Sequence, residues 1–107
     1  MNNRRASERH QQARVSVEIR PFDQRNTVAG TALNLSEGGA LVELSKKGAK
    51  RPGGFVLLEL EIGGSPSRIE AVVQRAEEHR GRARLGLRFV HLGEHERHAL
   101  RLHLRGS

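Results

Sequence analysis

The sequence predicts an all-β fold with one terminal helix: a small six-stranded antiparallel β-barrel capped by a C-terminal α-helix. Three observations carry that expectation. Several segments alternate apolar and polar residues with the two-residue period of half-buried strands. Short clusters of Gly, Pro, Asn and Ser separate them, and the final stretch switches to the three- and four-residue spacing of a helix. With 107 residues the chain makes one small domain, too short to cover two separate sheets, so closure into a barrel is expected.

Val15, Val17 and Ile19 alternate with Ser16, Glu18 and Arg20, which starts the first strand just after Arg14. Pro21, Asp23 and Asn26 supply a turn, and "TVAGTALNL" reads as a second strand built of small residues. After the turn "SEGG" comes a third strand, "ALVEL". Residues 45 to 54 form a polar, glycine-rich loop leading into "FVLLELEI", where Leu58, Leu60 and Ile62 alternate with Glu59 and Glu61. "GGSP" is the next turn. Glu70 to Glu78 taken alone also fits a helix, but the β-branched pair Val72 and Val73 favours a fifth strand in "SRIEAVVQRAEEH". "RGR" then closes a hairpin into "ARLGLRFV", which alternates through Leu85, Leu87 and Phe89. The helix is expected at about 93–105, with Leu92, Ala99 and Leu102, joined by Leu100 and Leu104, as its apolar positions; its Glu residues come early and its Arg residues late, matching the helix dipole.

Composition narrows the function classes. The absence of Cys excludes disulfides, thiolate zinc sites and a cysteine nucleophile, and is consistent with a reducing compartment. The first 14 residues lack an apolar export stretch and no window reaches the ~18 apolar residues of a membrane span, so a soluble, cytoplasmic protein without membrane insertion is expected. Formal charge is +7, and all the basic residues except Lys46, Lys47 and Lys50 are arginines, whose forked donors suit phosphates and the O6/N7 edge of guanine. Arg4, Arg5, Arg9, Arg14 and Arg20 crowd the head of the chain, making it the expected anion-facing element.

Between the second and third strands lies Asn34-Leu35-Ser36-Glu37-Gly38-Gly39. Asn offers an amide for a purine edge, Ser a hydroxyl for phosphate or base, and Gly a backbone that a ligand can approach; the same residue types also make an ordinary hairpin turn. Read with the arginines before the first strand, the sequence resembles the PilZ family, bacterial domains that bind cyclic di-GMP through an RxxxR pair ahead of the first strand and a [D/N]xSxxG motif after the second. Asn34, Ser36 and Gly39 match the second motif in full, and "LGLRFVHLGEHERHALRLHL" resembles the family's ending. The resemblance implies a PilZ-like barrel over residues 15–107 behind a flexible basic arm, residues 1–14, that orders on binding cyclic di-GMP and signals to a downstream effector protein.

The first motif departs from the family pattern. Arg14 occupies the position directly before the strand, but four residues earlier stands His10, with Arg9 one residue too early; the literal match Arg5 to Arg9 lies too far from the strand. Three alternatives follow: Arg9 reaches the site through the arm, His10 substitutes as a pH-dependent donor, or nucleotide binding is lost and the fold works as a protein-protein interaction module. The expected ligand-binding residues are Arg9, His10, Arg14, Asn34, Ser36 and Gly39, with no catalytic residue, no metal and no cofactor beyond cyclic di-GMP as ligand.

Other readings are weaker. His91 and His95 are four apart, but His98 and His103 do not share their face, so surface histidines are expected in place of a zinc site. The charge invites nucleic acid, yet the chain has no Trp or Tyr, its only aromatics are Phe22, Phe55 and Phe89, and Phe55 and Phe89 are expected in the core, which argues against specific nucleic-acid binding through stacked bases. No Ser, His and acid motif or phosphate-cradling loop signals an enzyme.

Overall fold

The computed structural model describes residues 14–22 and 25–105. Strands β1 (Val15–Pro21), β2 (Val28–Leu35), β3 (Gly39–Leu44), β4 (Phe55–Ile62), β5 (Ser65–His79) and β6 (Arg82–His91) are followed by helix α1 (Glu94–Arg105). All neighbours are antiparallel, and the strands close into a barrel in the order β1-β2-β3-β6-β5-β4, with β4 pairing back to β1. Closure leaves no open edge around the ring, which removes the template that an unpaired strand offers to other chains.

The alternation legible in the sequence becomes the inside and outside of this barrel. Ile19, Leu58 and Ile69 stand opposite one another on β1, β4 and β5, each fully buried. Val42 and Leu44 on β3 and Leu85 and Leu87 on β6 fill the other side. Outward positions carry the charge: Glu43 on β3 and Arg84 on β6 are register partners joined at 2.9 Å, and Glu59 on β4 holds both Arg20 at 3.2 Å and Arg68 at 3.4 Å.

Two hairpins are two-residue turns with both central residues at positive φ, the geometry whose twist matches the flanking strands. Gly63-Gly64 joins β4 to β5 without strain, whereas Arg80-Gly81 joins β5 to β6 with Arg80 at φ 54°. A non-glycine side chain costs about 1 kcal/mol there, and Asn tolerates the conformation better. Arg80→Asn is therefore expected to stabilise the domain by about 0.5 kcal/mol, read as a rise of a few degrees in thermal midpoint.

Helix α1 begins with Glu94 and Glu96 and ends with Arg105, so its charges oppose its dipole at both ends. It packs against β5 and β4 through Ala99 and Leu100, and Ser65 Oγ lies 2.9 Å from His95 Nε2 near its N-terminal end. Among the described residues no helix is long and apolar enough to cross a membrane.

Several expectations are corrected. Pro21, Ser65 and Pro66 belong to strands, and Gly39 opens β3 instead of ending the turn. The helix starts at Glu94, and Leu102, expected on its apolar face, is 54% exposed because the docking contact runs through Ala99 and Leu100. His91 and His95 share no helical face, since His91 ends β6. Phe55 is not core: inward positions on β4 are Val56, Leu58, Leu60 and Ile62, so Phe55 is turned outward and 59% exposed. Phe89 does lie inside, in phase with Leu85 and Leu87.

Candidate functional site

A register shift in β2 decides where the Asn34 motif points. Gly30 and Ala32 face inward, and uninterrupted alternation would send Asn34 inward as well. Instead Ala32 pairs with Val42 and Asn34 with Leu41, leaving Leu33 as the extra residue of a bulge. Beyond it Leu35 enters the core, and Asn34 is handed to the outer face.

Ser36 builds the turn that follows. Its Oγ accepts the backbone N–H groups of Gly38 and Gly39, both at 3.2 Å, and donates to the Gly39 carbonyl at 3.2 Å. A hydroxyl has one donor and two acceptor sites, so these bonds occupy its full capacity. The Ser36 N–H also donates to Gly39 O at 2.9 Å, and Phe89 N–H to Gly38 O at 2.9 Å, which ties the turn to β6. Gly39 has ordinary backbone angles; glycine is required there because a Cβ would overlap the Leu87 carbonyl oxygen. Glu37 at the turn is held by Arg101 of α1 at 3.2 Å.

The register then lays a transverse row across four strands: Asn34 opposite Leu41, Leu41 opposite Gly86, and Gly86 opposite Arg75. A hollow of about 240 Å³ opens over this row, lined by Asn34, Ser36, Gly39, Gln74, Arg75 and Gly86 among others. Arg75 reaches it because a second register shift, between Val73 and Arg75, falls at Gln74, and because Gly86 has no side chain: a Cβ there would come within 2.9 Å of Arg75 Cγ and Nε. The next row sets Arg88 of β6 opposite Gly39. Neither Arg75 nor Arg88 has an ion pair or side-chain hydrogen bond among the described residues.

The structure thus brings Asn34, Ser36 and Gly39 to one side of a hollow and adds Arg75, Arg88, Gln74 and Gly86, which the sequence reading did not single out. The only signal for them in the sequence was the interruption of alternation at Gln74-Arg75 and the glycine among the large residues of "RLGLRF". Arg14 is exposed and stands directly before β1; because Val15 pairs with Ala32, continuing that register sets Arg14 alongside the bulged Leu33, next to Asn34. Arg9, His10 and the rest of the expected 1–14 arm up to residue 13 lie outside the described residues. Besides the arginines at the head of the chain, the barrel wall carries exposed arginines of its own, Arg75 and Arg88.

A larger concavity of about 820 Å³ covers β1, β2 and β4, but Glu18, Glu59, Glu61 and Glu96 outnumber Arg20 and Arg68 there. That balance opposes an anionic ligand. The hollow beside Asn34 has no carboxylate in its lining.

Comparison with known proteins agrees with the closed barrel and terminal helix. The PilZ domain family matches residues 3–106, almost the whole chain. The chain belongs to the PilZ family. Among solved structures, the PilZ domain is similar to that of YcgR from Escherichia coli, determined with c-di-GMP: 14% identity, TM-score 0.67, covering 86% of this chain and 80% of that one. It is similar to the Bacillus subtilis inhibitor of motility MotI/DgrA at 21% identity and TM-score 0.69, over 89% of this chain and 47% of that one. The PilZ domain of CeSA from a cellulose-synthesizing bacterium has 24% identity and TM-score 0.62, over 88% and 92%. At these identities the three share the fold. A search among curated proteins finds no match.

Proposed function

We propose that this PilZ domain is a receptor for cyclic di-GMP, bound on the outer face of the barrel at the β2–β3 turn, and that it passes the signal to a partner protein without catalysis. The observation that carries this reading is the placement of Asn34, Ser36 and Gly39 together at one side of a hollow lacking carboxylates, with Arg14 at the neighbouring strand start. The similar domain of YcgR was solved with c-di-GMP.

In this reading Asn34 meets a purine edge. Ser36, whose hydroxyl is engaged within its own turn, acts chiefly by holding the turn in shape. Arg14 forks onto a guanine edge or a phosphodiester, the two acceptor types that reward a guanidinium most. Residues 1–14 act as an arm carrying Arg9 and His10 to the ligand, and ordering of that arm alters the surface offered to a partner. MotI, an inhibitor of motility by name, contains a similar fold within a longer chain.

Isothermal titration with cyclic di-GMP tests the reading. The intact protein is expected to bind, and Arg14→Ala to weaken binding about 10- to 100-fold, the worth of one charge-assisted contact. A silent titration of the intact protein would favour the second reading, an interaction module that has lost nucleotide binding; His10 at the position of the first motif arginine is the observation behind it. Binding that survives both Arg14→Ala and Ser36→Ala would show that the ligand sits elsewhere.

A further inference from the structure

We infer that Arg75, a residue of β5 outside both motif segments, is a ligand-contacting arginine that supplies from the barrel wall the second guanidinium that the leader lacks at position 10. The inference rests on the proposed cyclic di-GMP site and deepens it.

Four observations converge on Arg75. It lines the same hollow as Asn34, Ser36 and Gly39. The register places it at the far end of the row Asn34, Leu41, Gly86, Arg75, three strands from Asn34, a span of roughly 14 Å at ordinary strand spacing. That span suits a ligand with two purines and two phosphodiesters, gripped at one side by the Asn34 turn and at the other by a cation. Third, its stem crosses the face of Gly86, the position where a Cβ would collide with Arg75 Cγ and Nε, so the guanidinium is laid over the row. Fourth, no described carboxylate neutralises it; Glu43, Glu59, Glu37 and Glu78 are paired with Arg84, Arg20 and Arg68, Arg101 and Arg51 respectively. A cation without an internal partner keeps its full attraction for an external anion, and a planar guanidinium additionally stacks on a purine face or forks to a phosphate.

The site is consequently divided between two sources of positive charge. Arg14 approaches from the strand start, and Arg75 belongs to the rigid wall and needs no ordering of the arm. Binding therefore retains a cationic grip even though position 10 of the leader is His and not Arg.

Three variants, titrated with cyclic di-GMP beside the intact protein, test this. Arg75→Ala is expected to weaken binding about 10- to 100-fold, and Arg75→Lys to recover only part of the loss, since an ammonium keeps the charge but neither forks nor stacks. Gly86→Ala keeps the arginine and displaces its stem, a flexible side chain, so it is expected to weaken binding while leaving the thermal midpoint within a few degrees. Arg75→Ala is expected to melt like the intact protein. If the intact protein binds and Arg75→Ala binds equally well, the inference fails and the proposed site stands; if the intact protein does not bind, both fail.

Discussion

Gly39→Ala is expected to lower the thermal midpoint by about 15 °C, because the added methyl overlaps backbone and every route to relieving it breaks part of the barrel. At Gly39 a Cβ meets the carbonyl oxygen of Leu87, with the Arg88 Cα at 3.4 Å behind it. These are main-chain atoms of β6, held by the β3–β6 ladder and by the Phe89 N–H bond to Gly38 O. Moving them disturbs buried Leu87 and Phe89 on the inner face. Overpacking of this kind costs about 3 kcal/mol, at the upper end of its usual range because no side chain can yield. The comparison that isolates the cause is Gly38→Ala, where a Cβ would meet only Ser36 Oγ at 4.0 Å and the φ is not positive, so a change within about 1 kcal/mol is expected. Equal midpoints for the two variants would show that β3 and β6 are not so closely apposed. The result also bears on how the family motif is read: its last glycine is required here for strand packing, whatever its role toward a ligand.

Leu58→Ala carries the other large effect, a loss of about 3 kcal/mol and a matching fall in denaturant midpoint at unchanged slope. Leu58 is fully buried and stands in register between Ile19 and Ile69, which are also fully buried, on strands that pair with β4 along their length. Those neighbours are fixed by ladder hydrogen bonds on both sides, so the space left by the missing methyls closes only partly. The neighbouring Leu57 points outward and is half-buried; Leu57→Ala is expected to cost less than about 1 kcal/mol. Equal losses at 57 and 58 would contradict the inward and outward assignment of β4.

The legible part of the fold was legible for a simple reason. Where a strand is buried on one face only, the period of two writes its orientation into the residue types, as in "VSVEIR" and "LLELEI". Phe55 obeys the same rule: its outward place follows from the phase of Leu58, Leu60 and Ile62, although its size alone suggests core. Helix α1 was equally legible in existence, while its docking face was not, because Leu100 and Leu102 look alike until the end of the barrel selects one of them.

At the site, the Asn34, Ser36 and Gly39 motif was readable because it is contiguous. Its direction was not, since a bulge at Leu33 reverses the phase and a bulge is a property of two paired strands. Arg75 and Arg88 were hidden among sixteen arginines of equal appearance; what distinguishes them is which residues lie across the sheet and which carboxylates are already taken.

By itself, then, the sequence determined the family, the six strands and most of the residues that make the inner wall, all of them local patterns or contiguous motifs. Only the tertiary structure decided that Asn34 faces out, that Gly39 must lack a side chain, and that Arg75 lies over Gly86 in the same hollow. Those facts depend on which residues pair between strands, from Asn34 and Leu41, 7 apart in the chain, to Gly39 and Arg88, 49 apart, and register across a closed barrel is set by all the strands together.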